Sequence, residues 1–126
     1  MVHDNEQLES HDQELLARYK GKQLTNKERL ASPAQEMPTQ KAEERVLNMS
    51  EVALGYTEAQ VQVEAFRCLQ CANAPCVKGC PVRIDIPRFI AKAAEGDYAG
   101  SVAVIKESSM LPSICGRVCP QESQCQ

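Results

Sequence analysis

An all-α fold is expected from this sequence on two grounds, and a small core on a third. No stretch of strand length alternates apolar with polar residues, whereas helical spacing recurs along the chain. Helix-start signatures appear at Thr57–Gln60, at Asp85–Ile86–Pro87 and at Asp97, in each case a side-chain oxygen placed to accept from free backbone N–H groups. Aromatic content is low as well, with two Phe, three Tyr and no Trp in a chain that is 25% charged. So little apolar bulk implies a small core, for which bound inorganic groups would substitute.

Residues 4–20 are polar and acidic, with Leu8, Leu15, Leu16 and Tyr19 at spacings that put them on one side of a helix ending near Gly21. From Gly21 to Asn48 the periodicity fails. Pro33 and Pro38 among Ser, Thr and Gln predict an extended surface linker, with one short helical turn at 42–47. Thr57–Gln60 is a capping box, with a hydroxyl and, three residues on, an amide that reaches back. A helix from there to about Arg67 would turn Val61, Ala65 and Phe66 inward and deliver Cys68 at its end. Asp85 then caps a helix with Pro87 in its first turn, Phe89, Ile90 and Ala93 on its inner face and Gly96 as its stop. Asp97 caps a further helix to about Ser108, with Val102 and Ile105 inward. After the break at Leu111–Pro112, Ser113 is expected to cap a short helix carrying Cys115 and Cys119 on one face.

The chain has 126 residues, enough for one domain at most. Its net charge is −3, spread evenly, and no basic patch points to nucleic acid. No segment approaches the ~18 consecutive apolar residues of a membrane span. Seven cysteines is an odd number, and the N-terminal residues lack the basic and apolar segments of a secretion signal. A soluble, cytoplasmic protein with reduced thiols is the expectation. His3 and His11 lie far from every cysteine and are expected to be solvated rather than ligating.

All seven cysteines fall in two runs. Cys68, Cys71, Cys76 and Cys80 form C-x2-C-x4-C-x3-C followed by Pro81; Cys115, Cys119 and Cys125 form the second, with Pro120 after Cys119. Runs ending in Cys-Pro hold iron–sulfur clusters, since short loops bring several thiolates into one small volume at little entropic cost. Two separated runs suggest two clusters, with Cys80, the cysteine before proline, serving a different cluster from Cys68, Cys71 and Cys76. Gly79 and Gly116 would let backbone approach the cluster closely, and Leu69, Val77, Ile114 and Val118 would keep water from the sulfurs. Arg67, Lys78, Arg83 and Arg117 would favour thiolate and raise the potential. Structural zinc, the rival chemistry, favours paired C-x2-C, a pattern that Cys68 and Cys71 alone satisfy; it would make the chain a zinc-stapled interaction module.

The stretch from Cys68–Leu69–Gln70–Cys71 to Gly79–Cys80–Pro81–Val82, then Asp85–Ile86–Pro87, Phe89–Ile90, Gly96–Asp97–Tyr98, and Leu111 to Cys125 closely resembles the N-terminal iron–sulfur domain of the NADPH-dependent glutamate synthase small (beta) subunit family. Asn48, Glu51–Val52 and Gly55–Tyr56–Thr57 match as well. Related domains occur in dihydropyrimidine dehydrogenase, sulfide dehydrogenase and the ferredoxin:NADP oxidoreductases. The resemblance covers roughly residues 37–126, leaving 1–36 as an N-terminal helix and linker. It implies an alpha-helical ferredoxin with two Cys-rich cluster-binding loops and two 4Fe-4S clusters. Carried over by position, Cys68, Cys71 and Cys76 hold one cluster; Cys80, Cys119 and Cys125 hold the other; and Cys115 matches a family cysteine that is not a ligand, although its helical spacing to Cys119 reads as one. The family completes the first cluster with a Cys shortly after Cys125 and the second with a Gln or Glu further on. FAD- and NADPH-binding domains follow in cis. The sequence is therefore expected to be a shortened piece, not catalytic by itself, in which clusters are incomplete or absent. Within an NADPH-dependent oxidoreductase it would relay electrons to a large catalytic subunit such as that of glutamate synthase, for glutamate biosynthesis; a sister oxidoreductase of the ferredoxin:NADP or sulfide dehydrogenase type is the alternative.

Overall fold

A computed structural model of the chain describes residues 5–125, with side chains from residue 9. His3 and the side chain of Leu8 lie outside that description. As expected, the fold is all-α: the described residues contain helices and an isolated antiparallel bridge, Thr39 with Ala53, but no strand. The chain divides into two compact units, residues 1–67 and 68–126, so the expected ferredoxin span of 37–126 draws on both.

The first unit is built from α1 (Asn5–Tyr19), α2 (Asn26–Ala31), α3 (Ala42–Arg45) and α4 (Glu58–Phe66). Leu15 and Tyr19 of α1 pack on Val63 of α4, with Leu16, Leu24 and Phe66 around them. Tyr19 meets Phe66 edge to face, with ring centroids 6.2 Å apart, the arrangement that aromatic quadrupoles favour. The α4 helix starts where the capping box places it: Thr57 accepts from the Gln60 N–H at 3.3 Å, and Gln60 accepts from the Thr57 N–H at 3.0 Å. Its inward face is as expected at Ala65, which is buried, and at Phe66, which packs on the core, but not at Val61. Val63, fully buried, holds the centre and Val61 is only half-buried, because α1 covers the face carrying Gln60 and Val63. The linker also contains more structure than expected. Thr25 and Glu28 form a second capping box that starts α2.

A loop over residues 38–54 is closed by backbone bonds from Gln40 N to Val52 O (2.9 Å) and Leu54 N to Pro38 O (2.8 Å). It carries α3, the short turn expected there, and exposes Val46, Leu47 and Met49 at its tip.

One polar pair lies inside this unit. Asp12 is 2% exposed and Gln60 1% exposed. Asp12 Oδ2 has no hydrogen-bond partner among the described residues. Burial pushes the Asp12 carboxyl above its ordinary value of 3.8, while a hydrogen bond from Gln60 and the nearby His11 pull it down. A raised folded-state value means that the folded unit binds this proton more tightly than the unfolded chain does. The resulting stability is complete below the unfolded value and is lost as pH rises through the folded one. Asp12→Asn should therefore raise the melting temperature at pH 7, and the difference should vanish in acid. Circular dichroism melts at pH 7 and pH 3 check this; a lower melting temperature for the variant at pH 7 would contradict it.

The second unit comprises α5 (Pro75–Gly79), α6 (Ile86–Ala94), α7 (Tyr98–Lys106), α8 (Pro112–Val118) and a 3-10 turn at Gln121–Ser123. Asp85 accepts from the Arg88 N–H at 3.3 Å and Asp97 from the Gly100 N–H at 2.9 Å, so both acidic caps act as expected. The α6 helix ends in a Schellman motif: Gly96 has φ +80°, its N–H bonds Ala93 O, and Asp97 N–H bonds Lys92 O, both at 3.0 Å. That turn brings α7 against α6. Ala93, Ser101 and Val104 are buried there, and the Ser101 hydroxyl donates to Phe89 O at 2.9 Å. Val104 takes the inward place expected of Val102, which is exposed, since α6 covers the face holding Ser101 and Val104. Across the surface Arg88 makes a two-pronged pair with Glu107, at 2.8 and 2.7 Å.

Candidate iron–sulfur site

The first cysteine run leaves α4 at Cys68 and follows an unusual backbone path. Gln70, Ala74 and Arg83 have φ of +51°, +33° and +54°. Left-handed backbone disfavours residues with a Cβ, so three such positions within one short run indicate a path imposed by something other than local preference. Between them α5 begins on Pro75, whose missing N–H is harmless at a first helical position. Cys76 lies inside this helix and Cys80 is its C-cap, with the Cys80 N–H bonded to Cys76 O at 3.0 Å.

The second run repeats this construction. Pro112 opens α8, Cys115 lies inside it, and Cys119 is its C-cap, with the Cys119 N–H bonded to Cys115 O at 2.9 Å. Cys80 and Cys119 leave their helices with nearly the same backbone angles, −78°/120° and −70°/125°, and a proline follows each. Cys115 thus stands in α8 where Cys76 stands in α5. Leu111, rather than Ser113, is the N-cap of α8, and no side chain caps it.

The two runs meet at Gly79. A Cβ on that residue would lie inside contact distance of the Gln124 carbonyl oxygen and 3.3 Å from Cys125 Cα. Gly79 thus lies close to the backbone of the second run, a contact different from the approach to a cluster expected of it, whereas around Gly116 there is open space. Burial pushes the Cys125 thiol above its ordinary value, and Cys80, Cys119 and Cys76, in falling order, push it the same way. Cys125 therefore lies near both Cys80 and Cys119, assigned with it by the resemblance, and Cys76, assigned to the other cluster. Cys68 and Cys71 are not among the groups acting on Cys125. Cys71, Cys115 and Cys119 are exposed, and Cys68, Cys76, Cys80 and Cys125 are partly buried.

None of the seven thiols is in a disulfide. Among the described residues no three His, Cys, Asp or Glu side chains converge as the ligands of one ion. A cubane spreads its thiolates over separate irons and makes a different geometric demand.

The surroundings of the thiols depart from expectation in two respects. Leu69 and Val77 are partly buried, but Ile114 and Val118 are exposed, 53% and 72%, and do not shield sulfur. Arg67 is paired with Glu64 and donates to Ser32 O at 3.2 Å, so its charge is largely compensated, and Arg117 donates to Ser113 O at 3.0 Å. Three polar neighbours went unforeseen. Gln70 Nε2 donates to Cys68 Sγ at 3.4 Å, Gln124 Oε1 lies 3.6 Å from Cys119 Sγ, and the Ser109 hydroxyl lies 3.8 Å from Cys115 Sγ. The only available signal was a polar side chain within a cysteine run, and Ser109 lacked even that. A cleft of about 260 Å³ in the first unit, lined by residues such as Pro38, Leu54, Tyr56 and Gln60, contains no cysteine.

Paired short helices, each with a cysteine at its C-cap ahead of proline and drawn together through a glycine, define a helical protein built to hold an iron–sulfur cluster. Comparison with known proteins gives the same class and a family. Residues 45–126 match the family described as dihydropyrimidine dehydrogenase domain II, 4Fe-4S cluster, and the chain belongs to that family. It is 37% identical over 78 residues to the NAD-dependent dihydropyrimidine dehydrogenase subunit PreT of Salmonella typhimurium, covering 62% of this chain and 19% of that protein. The Escherichia coli PreT is 36% identical over 78 residues, again 62% of this chain and 19% of the relative. The glutamate synthase (NADPH) small chain of Escherichia coli is 35% identical over 82 residues, covering 65% of this chain and 17% of the relative. The matched chain thus spans less than a fifth of each relative. It is a 4Fe-4S electron-transfer domain of that family. No helix among the described residues is long and apolar enough to cross a membrane.

Proposed function

We propose that the chain carries two 4Fe-4S clusters and relays single electrons between a flavin and an acceptor protein. Cys68, Cys71 and Cys76 hold one cluster; Cys80, Cys119 and Cys125 hold the other; each is completed by one ligand beyond Gln126, and Cys115 is not a ligand. The carrying observation is the packing of the Gly79 backbone on Gln124 and Cys125, which draws the end of the first run to the end of the second. Clusters of this kind take up and release one electron at a time. The chain's own residues supply the thiolates, and the partial burial of Cys68, Cys76, Cys80 and Cys125 limits solvent at the sulfurs.

In the whole protein, FAD- and NADPH-binding domains in cis would deliver the electrons, and a large subunit such as that of glutamate synthase would receive them for glutamate formation, in the cytoplasm. A second reading keeps the relay but changes its ends. The PreT relatives are as similar to this chain as the glutamate synthase small chain is, which favours an NAD-linked oxidoreductase with another acceptor equally. Anaerobic preparation of the full-length protein with iron and sulfide tests the relay. Broad visible absorbance that bleaches on adding reduced nicotinamide is expected. A colourless, folded protein with stoichiometric zinc would refute it, and bleaching by NADH alone or by NADPH alone would fix the donor.

A further inference from the structure

The side-chain amide of Gln70 has two N–H groups, and both are used. Its Nε2 donates to Pro87 O at 3.0 Å and to Cys68 Sγ at 3.4 Å. The first bond ties the amide to the opening turn of α6, a nine-residue helix fixed by the Asp85 cap and packed on α7. The second aims the remaining proton at sulfur. Gln70 is moreover held at φ +51°, where glycine is the residue of least strain. A side chain is thus kept at a position that favours its absence, and that side chain touches a thiol.

Resting on the assignment of Cys68 to a cluster, we propose that Gln70 is a positioning residue that sets the reduction potential of that cluster and not of the other. Adding one electron makes a thiolate-ligated cluster more negative, and an N–H donated to its sulfur stabilises the more negative state more. The bond therefore raises the potential. Because the amide is anchored on Pro87 O, its direction is fixed before reduction, so little reorganisation accompanies the electron.

The test is an electron paramagnetic resonance titration of the full-length protein, with dithionite as the one-electron donor, comparing wild type, Gln70→Leu and Gln70→Glu. Gln70→Leu removes the donor at similar size, and its cluster should become harder to reduce by several-fold up to tenfold in the one-electron equilibrium, the upper figure being about 59 mV. Gln70→Glu should shift it further in the same direction, since a carboxylate replaces the donor. Iron and sulfide content and the potential of the second cluster should not change, a pattern that a purely structural role would not produce. Should Gln70→Leu load poorly, Gln70→Gly, which suits the left-handed backbone and also lacks the amide, carries the same expectation. Wild-type potentials in fully loaded variants would overturn the proposal while leaving the cluster assignment intact. If Cys68→Ser, run alongside, keeps both clusters unaltered, the assignment itself fails.

Discussion

Cys119→Ser is expected to strip one cluster from the full-length protein and leave the other, reducing iron and sulfide by roughly half. A serine hydroxyl stays protonated where a thiol ionises, so it cannot take the place of a soft thiolate. Cys119 sits at the C-cap of α8, its backbone held by the bond to Cys115 O. The substitution therefore changes the donor atom while leaving the helix end in place. Flavin content should be unaffected and reduction of the flavin by nicotinamide should persist, while electron delivery to the acceptor collapses. Unchanged iron, sulfide and paramagnetic signals would show that Cys119 is not a ligand. Cys115→Ser is the matched control. It removes an exposed thiol from the same short helix, and both clusters should survive. Loss of a cluster there would mean that the place Cys115 shares with Cys76 has functional weight.

Gly79→Ala is expected to have the second large effect, although it touches no sulfur. The added methyl would meet the Gln124 carbonyl oxygen and the Cys125 Cα, and both are backbone atoms that cannot rotate away. The two cysteine runs must separate to admit it. Overpacking of this type destabilises by about 1–3 kcal/mol, and it falls where Cys125 joins Cys80 and Cys119. Loss of the cluster assigned to those three thiols, retention of the other and a lowered melting temperature are the expected readings. Gly116→Ala tests the same chemical change in α8 with open space around it. There alanine should be neutral or, by its better helix propensity, stabilising by up to about 1 kcal/mol. If both variants load equally, the contact at Gly79 does not hold the site together.

What could be read beforehand was whatever is encoded within a few neighbouring residues. The Thr57–Gln60 capping box, the caps at Asp85 and Asp97 and the stop at Gly96 all act as their chemistry dictates. Thr25–Glu28 is an equally local signal, but it was submerged in a stretch whose prolines and polar residues suggest extended chain. Choices that depend on a neighbouring element went differently. Val61 and Val63 both suit a helix interior, and only the seating of Leu15 and Tyr19 selects Val63. The same holds for Val102 and Val104 against α6. The burial of Asp12 with Gln60 has no sequence signal, since each residue alone favours solvent. At the site, the cysteine spacing was legible. The exposure of Ile114 and Val118 and the amide of Gln70 on sulfur were not, because they depend on the direction in which two short helices leave their turns.

The α6 and α7 helices occupy the sequence between the two cysteine runs and pack on each other across the tight turn at Gly96. Contacts so close in sequence form early and rapidly. Once this hairpin exists, the intervening chain is no longer a floppy tether, and the search that brings Cys80 to Cys119 and Cys125 is greatly shortened. Folding of this hairpin therefore lowers the entropic cost of bringing the two cysteine runs together.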